Sequence, residues 1–199
     1  MIVAPIPTGA RLIDSVGLEP QHIAGLTTVD GIIAYLGGNL TAELVAEAHA
    51  HGKGVVPVNF SRGDGWLPTA DMGHADASTT LERLDKLGLL LPGLVDWCDL
   101  EGAGADPTGY LDAWAGDVFA KLVAGLYVGA GALLTAAQLY ALPHFTRYWH
   151  SLSRGIPEPQ CGFVLAQLYP STTLNGLGVD YDFAQQDFRG RAATWVLAA

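Results

Sequence analysis

The chain has 199 residues, of which 50% are hydrophobic and 15% are charged, and this composition is typical of a folded globular protein rather than a disordered one. Twenty acidic residues against ten lysines and arginines give a formal net charge of -10, and no basic cluster interrupts it, so neither a nucleic acid nor an anionic membrane is an expected partner. The length suits one domain over residues 1–199, no apolar run is long enough to span a bilayer, and no secretory signal is expected.

Short apolar runs alternate with helix-like segments along the whole chain. Runs rich in β-branched and aromatic residues predict eight strands, and the segments between them predict helices or helical turns. The predicted strands are 11–14, 31–36, 54–60, 93–101, 125–129, 145–149, 162–168 and 177–182. The predicted helices and helical turns are 19–26, 42–51, 75–87, 106–122 and 135–142.

The alternation of strand and helix signals predicts a parallel sheet covered by helices. Eight such units close into a compact α/β fold, the (β/α)8 TIM barrel, and 199 residues lie at the lower size limit of that fold. We therefore expect some shortened outer helices, most clearly between the sixth and eighth strands. An open doubly wound sheet is the alternative, and the short, regular connections favour the barrel.

Acidic side chains gather at the ends of three predicted strands. Asp14 ends the first strand, Asp99 and Glu101 end the fourth, and Asp180 and Asp182 end the eighth. The carboxyl ends of parallel barrel strands form the active-site face, whereas a buried core has no need of unpaired acids. Residues two apart on a strand share a face, so the two acids of the fourth strand point the same way. We expect one carboxylate cluster at this face.

Clustered carboxylates raise one another's pKa, so one can stay protonated near neutral pH while another is ionised. Cleavage of a glycosidic bond needs two carboxyl groups in those two states. Glu101 has the longer side chain and is predicted to be the general acid. Asp99 is predicted to stabilise positive charge on the sugar, to orient the substrate or to activate water. Asp14 and Asp180 are predicted to set the local electric field. The alternative is that Asp99 caps a turn and Glu101 is merely solvated.

Several polar and aromatic residues in or just after the strands are candidates for sugar binding. A tyrosine ring can stack on a pyranose while its hydroxyl bonds a polar group, although each ring can equally belong to the core. Asn59 and Gln167 can hold substrate hydroxyls or cap loops. The predicted substrate-binding residues are Tyr35, Asn59, Tyr127, Gln167, Tyr169 and Asp182. Arg62 and Trp66, in the predicted loop after the third strand, are either groove-rim or ordinary surface residues.

The sequence predicts no metal site and no cofactor. Cys98 and Cys161 lie outside any Cys-x-x-Cys motif and are expected to be buried thiols, with a disulfide between them as an open alternative. The six histidines lack the spacing of metal ligands, and neither a nucleophile elbow nor a Walker-type loop is present.

Five short motifs, in their order along the chain, resemble the glycoside-hydrolase-like barrel domains of unknown function found in actinobacterial and phage proteins. Those domains are similar to the N-acetylmuramidase lysozymes of glycoside hydrolase family 25, which have a compact (β/α) barrel. The matching positions are Asp14 in Leu-Ile-Asp-Ser, Tyr35, Asp99-Leu100-Glu101, Gln167-Leu168-Tyr169 and Val179-Asp180-Tyr181-Asp182-Phe183.

The resemblance covers nearly the whole chain, and it implies that Glu101 is the proton donor and that peptidoglycan glycan is the substrate class. Two positions depart from the pattern. The first strand has Arg11 and Leu12 where a glycine is usual, and Leu168 separates Gln167 from Tyr169. These departures concern substrate contacts rather than the fold.

Three functions are compatible with these observations. The first is a glycoside hydrolase that acts on a cell-wall polysaccharide. The second is a catalytically weak or inactive carbohydrate-binding or structural barrel, because a fold does not by itself determine an activity. The third is a hydrolase that uses the same acids around magnesium or calcium. The sequence leaves the oligomeric state and the site of action open.

Overall fold

The structure is a computed structural model, and it describes residues 1–59, 62–153 and 155–199. The described residues form one sheet of eleven strands. The strands are β1 (Ile2–Pro5), β2 (Arg11–Asp14), β3 (Gly31–Leu36), β4 (Gly54–Asn59), β5 (Val95–Leu100), β6 (Val123–Val128), β7 (Arg147–Ser151), β8 (Leu165–Gln167), β9 (Thr172–Leu174), β10 (Leu177–Ala184) and β11 (Thr194–Leu197).

Helices cover the outside of this sheet. They are α1 (Ala42–Ala50), α2 (Ala70–Lys86), α3 (Thr108–Phe119), α4 (Ala136–Ala141) and a 3-10 helix (Pro20–Gly25). Within the described ranges, no helix combines the length and the apolar character that crossing a membrane requires.

Eight of the strands close into a barrel, in the order β2-β3-β4-β5-β6-β7-β8-β10 and back to β2. The predicted (β/α)8 barrel with helices between strands is therefore confirmed. The expectation of a fully parallel barrel is wrong for the eighth strand, because β10 runs antiparallel to both β2 and β8. A parallel strand needs a crossover connection of a dozen or more residues, whereas an antiparallel one can follow a short turn. The connection from β8 to β10 is short and contains only β9.

The predicted shortening of the outer helices is confirmed. A single 3-10 helix joins β2 to β3, α4 has six residues, and the described residues between β7 and β8 form no helix. In contrast, α2 is longer than predicted and begins at Ala70 rather than at residue 75. Thr69 caps it by accepting a hydrogen bond from the Met72 amide at 3.2 Å, a signal that the prediction overlooked.

Three short strands were missed by the prediction. The strand β9 pairs with the beginning of β10, and β1 pairs antiparallel with β11. In turn, β11 meets β4 at Val196 and Val55, near the amino-terminal end of the barrel. These segments are only three or four residues long, so their hydrophobic alternation is too brief to be read locally.

Side chains alternate along β5 between the barrel interior and the layer of helices. Val95 and Trp97 lie inside, and Cys98 and Leu100 pack towards the helices, as the sequence pattern predicted. Inside the barrel, Trp97 packs edge-on against Trp149, with ring centroids 6.0 Å apart. Both tryptophans are almost fully buried, so they form a solid floor beneath the carboxyl end of the barrel.

The two cysteines are separate thiols. Cys98 and Cys161 are both free and buried, in agreement with the expectation of buried thiols and against a disulfide between them. Burial raises the pKa of the Cys98 thiol well above its ordinary value, so this side chain is uncharged and inert rather than nucleophilic.

Candidate active site

A hollow of about 210 Å³ opens at the carboxyl ends of the parallel barrel strands. All four acids that were predicted to be catalytic line it, although they come from three separate strands. The lining residues are Asp14, Tyr35, Asp99, Glu101, Tyr127, Ala130, Trp149, Ser151, Ser153, Gln167 and Asp180. The spatial convergence on which the sequence analysis relied is therefore present.

The reversed direction of β10 decides where its two acids lie. Asp180 pairs with Asp14 across the sheet, so it lies at the hollow even though it is in the middle of its strand. Asp182 lies two residues further along and deeper in the barrel, opposite Leu12 and Gln167. The expectation that both acids end the strand is corrected here: β10 enters the barrel from the active-site face and runs away from it.

Asp182 is a buried acid beneath the hollow rather than a residue that lines it. Its side chain is fully buried, and Oδ1 accepts a hydrogen bond from Trp149 Nε1 at 2.7 Å. Burial and the neighbouring charge of Asp14 raise the pKa of Asp182 well above its ordinary value, which favours the neutral form of the carboxyl group. A substrate in the hollow would not reach this predicted binding residue.

A hydrogen-bonded network centred on Gln167 joins the acids of two strands. The Gln167 Nε2 group donates to Asp14 Oδ2 at 2.7 Å and to Asp180 Oδ2 at 3.4 Å. The Oε1 atom of the same amide accepts from the Tyr127 hydroxyl at 2.7 Å. The Tyr35 hydroxyl donates to Asp14 Oδ1 at 3.3 Å. Both carboxylate oxygens of Asp14 are therefore held by donors.

Asp14 is an acid of the hollow whose pKa lies near neutral pH. Its side chain is buried, and this desolvation raises its pKa to about 7, opposed by the hydrogen bond from Gln167. The negative charges of Asp180 and Glu101 add to the rise, and the Tyr35 hydrogen bond opposes it. Asp14 therefore changes its protonation state near neutral pH.

The two tyrosines of the network remain protonated donors. Burial raises the pKa of Tyr35, and so do the negative charges of Asp14 and Asp99. Burial also raises the pKa of Tyr127, together with the charges of Glu101 and Asp99. The Tyr127 ring lies 4.5 Å from the Trp149 ring, so one wall of the hollow is aromatic. Such a wall can contact the apolar face of a sugar while hydroxyls bond its edges.

Besides Asp182, two predicted binding residues, Asn59 and Tyr169, lie away from the lining. Alternation along β4 turns Val58 into the barrel and Asn59 towards α2, where Asn59 Oδ1 accepts from the Thr80 hydroxyl at 3.1 Å. Tyr169 follows β8 at the same end of the barrel, but it is 73% exposed and is not one of the residues that line the hollow. Of the six predicted binding residues, Tyr35, Tyr127 and Gln167 line the hollow.

Arg62 and Trp66, the candidate rim residues, belong to a packed cluster beside the hollow. Arg62 forms an ion pair with Asp76 of α2 at 2.5 Å, and its guanidinium lies 5.7 Å from the Trp66 ring centroid. The indole Nε1 group donates to the main-chain carbonyl of Glu101 at 3.0 Å. Trp66 therefore contacts the main chain of Glu101 from outside the hollow, and Arg62 contacts Trp66 and Asp76.

Ser151 and Ser153 line the hollow but were missed by the sequence analysis. Their hydroxyl oxygens lie 2.9 Å apart, and Ser151 is the last residue of β7. Ser151 lies two residues after Trp149, so alternation would have placed it on the same inner face. The predicted strand ends at residue 149, whereas β7 continues to Ser151, so this serine was not among the predicted strand residues.

A second hollow of about 350 Å³ adjoins the first and shares Asp14, Tyr35 and Asp180 with it. It extends between the loop after β2 and the beginning of β10, where Val16 and Val179 contribute apolar surface. The shared acids therefore lie between two hollows, which is an arrangement that suits a ligand longer than one ring.

No model of a known protein family matches this sequence, and no curated protein does. Solved structures match in fold. The Tat-secreted protein Rv2525c of Mycobacterium tuberculosis has a TM-score of 0.68 and 17% identity, over 94% of this chain and 99% of that chain. The catalytic domain of endolysin ply40 from bacteriophage P40 of Listeria monocytogenes has a TM-score of 0.62 and 14% identity, over 90% of this chain and 95% of that chain. The spore cortex lytic enzyme SleM of Clostridium perfringens has a TM-score of 0.64 and 14% identity, over 92% of this chain and 69% of that chain.

This likeness shows a shared fold. Two of the three proteins are named as an endolysin and as a spore cortex lytic enzyme, and what this chain shares with them at 14% identity is the barrel fold. In the part of the chain that the structure describes, no group of three or more His, Cys, Asp or Glu side chains is arranged to hold a metal ion.

Proposed function

We propose that this protein is a glycoside hydrolase that cleaves a cell-wall glycan of the peptidoglycan type by carboxylate acid/base catalysis. The observation that carries the proposal is the convergence of Asp14, Asp99, Glu101 and Asp180 on one solvent-reachable hollow. The shared fold with an endolysin catalytic domain and a spore cortex lytic enzyme supports the substrate class.

The proposed reaction divides the work between the two acids of β5 and the loop after it. Glu101 donates its proton to the glycosidic oxygen as the bond to the anomeric carbon breaks. Asp99 carries the opposite charge to the sugar cation that develops. Water then adds to the anomeric carbon, and its proton returns to the Glu101 carboxylate. Atoms and charge balance over the cycle without a cofactor.

The hydrogen-bonded network around Asp14 sets the electrostatic field in which this reaction takes place. Asp14 has a pKa of about 7, so it is a hydrogen-bond donor to a sugar hydroxyl below that pH and an additional negative charge above it. Gln167 transmits the change because its amide bonds both Asp14 and Asp180. The Tyr127 ring, backed by Trp149, packs on the sugar, and the adjoining hollow accepts the next unit of the glycan.

The first test measures reducing ends released from purified peptidoglycan by the wild type and by Glu101→Gln. We expect the variant to lose at least about a hundredfold in rate, since a general acid contributes roughly 10²–10⁴-fold. Glu82→Gln is the matched control, because Glu82 pairs with Lys86 on the exposed face of α2. Both variants should melt within about 2 °C of the wild type.

A carbohydrate-binding barrel without catalysis would give a different result. Wild type and Glu101→Gln would then bind peptidoglycan fragments with equal affinity, and neither would release reducing ends. That outcome would reject the hydrolase proposal and leave the hollow as a binding site.

A further inference from the structure

We propose that Trp66 and Gly129 are positioning residues that hold Glu101 from two sides, one through its main chain and the other through its carboxylate. The inference rests on the proposed function, in which Glu101 is the proton donor. Glu101 is the first residue after β5, so its placement depends on the loops around it as well as on the strand.

On one side, the loop after β4 is tied to the loop after β5. The Trp66 Nε1 group donates to the Glu101 carbonyl at 3.0 Å. The Gly65 amide donates to the Gly102 carbonyl at 2.7 Å, and the Gly104 amide donates to the Trp66 carbonyl at 2.7 Å. Three hydrogen bonds thus fasten the main chain around Glu101 to a loop that is distant in sequence.

The Trp66 ring is itself fixed by the two helices that pack beside β5. It packs edge-on against Tyr110 of α3, with centroids 4.9 Å apart, and the Arg62 guanidinium covers it. Asp76 of α2 accepts hydrogen bonds from both Arg62, at 2.5 Å, and Tyr110, at 2.8 Å. The direction of the indole N–H group is therefore set by packing rather than by the loop alone.

On the other side, the loop after β6 packs directly against the carboxylate. A Cβ atom at Gly129 would lie 2.9 Å from Glu101 Oε2 and 2.8 Å from the Tyr127 ring. The φ angle of Gly129 lies outside the left-handed region, so glycine is needed here for space and not for backbone conformation. The Gly102 amide also donates to the Ala130 carbonyl at 2.8 Å, which ties this loop to the one that carries Glu101.

These contacts matter because proton transfer depends on distance. A displacement of about 1 Å in a reacting group can cost roughly a hundredfold in rate. Trp66 does not line the hollow, so it acts through Glu101 and not by touching the sugar. Loss of the Trp66 hydrogen bond should therefore lower kcat and leave KM nearly unchanged. A Cβ atom added at Gly129 should lower kcat by displacing the Glu101 carboxylate, and it also meets the Tyr127 ring.

Two substitutions separate the two contacts. Trp66→Phe keeps an aromatic ring but removes the N–H donor, and we expect kcat to fall about tenfold with KM within about twofold. Its matched control is Trp195→Phe, at the other end of the barrel, because no described residue accepts a hydrogen bond from Trp195 Nε1. Gly129→Ala should lower kcat about a hundredfold. Its control is Gly109→Ala, whose added Cβ meets nothing within 4 Å.

A second readout works without activity. With ¹³C-labelled glutamate, the side-chain carboxyl resonance of Glu101, identified by its loss in Glu101→Gln, should move in Trp66→Phe and in Gly129→Ala and stay in place in both controls. A wild type that cleaves no peptidoglycan would reject the proposed function, while the resonance still tests the positioning. Unchanged kcat and an unchanged resonance in both variants would overturn the positioning proposal. If Trp66→Phe does not fold, Gly129→Ala decides it.

Discussion

The strand β5 carries acids on both of its faces, and their surroundings differ. Asp99 faces inward and lines the solvent-reachable hollow. Asp96 faces the helices and is fully buried, and its carboxyl group has no side-chain hydrogen-bond partner among the described residues. Burial raises the pKa of Asp96 well above its ordinary value. An acid with a raised pKa therefore indicates a binding or catalytic site only where a ligand can reach it. Solvent access is the property that distinguishes the two faces of β5.

The sharpest test of this comparison is the same substitution on each face. Asp99→Asn should lower the rate of peptidoglycan cleavage about a hundredfold, because the charge opposite the sugar cation is lost. Asp96→Asn should leave the rate within about twofold, since no substrate reaches that side of the strand. Equal losses in the two variants, measured as kcat on purified peptidoglycan, would show that the distinction between the faces is wrong.

The pH dependence of activity tests the inner face further. Because the pKa of Asp14 is about 7, we expect the pH–rate profile to bend near that value. Asp14→Asn should remove the bend, and Asp96→Asn should retain it. A profile with the same bend in Asp14→Asn would assign it to another group.

The stability of the protein should depend on pH because Asp14 is a buried acid whose pKa is raised in the folded state. The pKa of Asp14 is about 7 in the folded state and about 3.8 in the unfolded state, so the folded state binds more protons between these values. The free energy of unfolding should therefore fall as the pH rises from about 4 to about 7, by roughly a few kcal/mol. Denaturant unfolding at pH 5 and pH 7.5 measures the fall, and Asp14→Asn should reduce it. A wild type that is more stable at pH 7.5 would contradict this sign.

The smallest expected effect concerns the outer face alone. Asp96→Val should stabilise the fold by about 1–3 kcal/mol, because a buried carboxyl group without a side-chain partner is replaced by apolar atoms on a β-strand. Thermal unfolding would show this as a rise of roughly 2–4 °C per kcal/mol. Asp112→Val on the exposed side of α3 is the control and should not stabilise. A destabilised Asp96→Val would indicate that Asp96 has a polar role on the outer face.

Much of the fold and most of the residues that line the hollow were accessible from the sequence. Alternation with period two predicted the barrel strands and the inward direction of Asp99, and the strand ends predicted Asp14. The same local pattern could not place Asn59, because one residue of register separates the inner face from the outer one. It also missed Ser151, because strand ends are the least local part of a strand and depend on the neighbouring strand.

The chain by itself determined on which strands the acids of the hollow lie and which of their neighbours share a face, because side-chain alternation is a property of the local backbone. Tertiary structure alone decided the reversed direction of β10, the depth of Asp182, the pKa of Asp14 and the contact of Trp66 with Glu101. Each of these depends on which distant segments pack together and on how much water they exclude, and neither quantity is written in the local pattern.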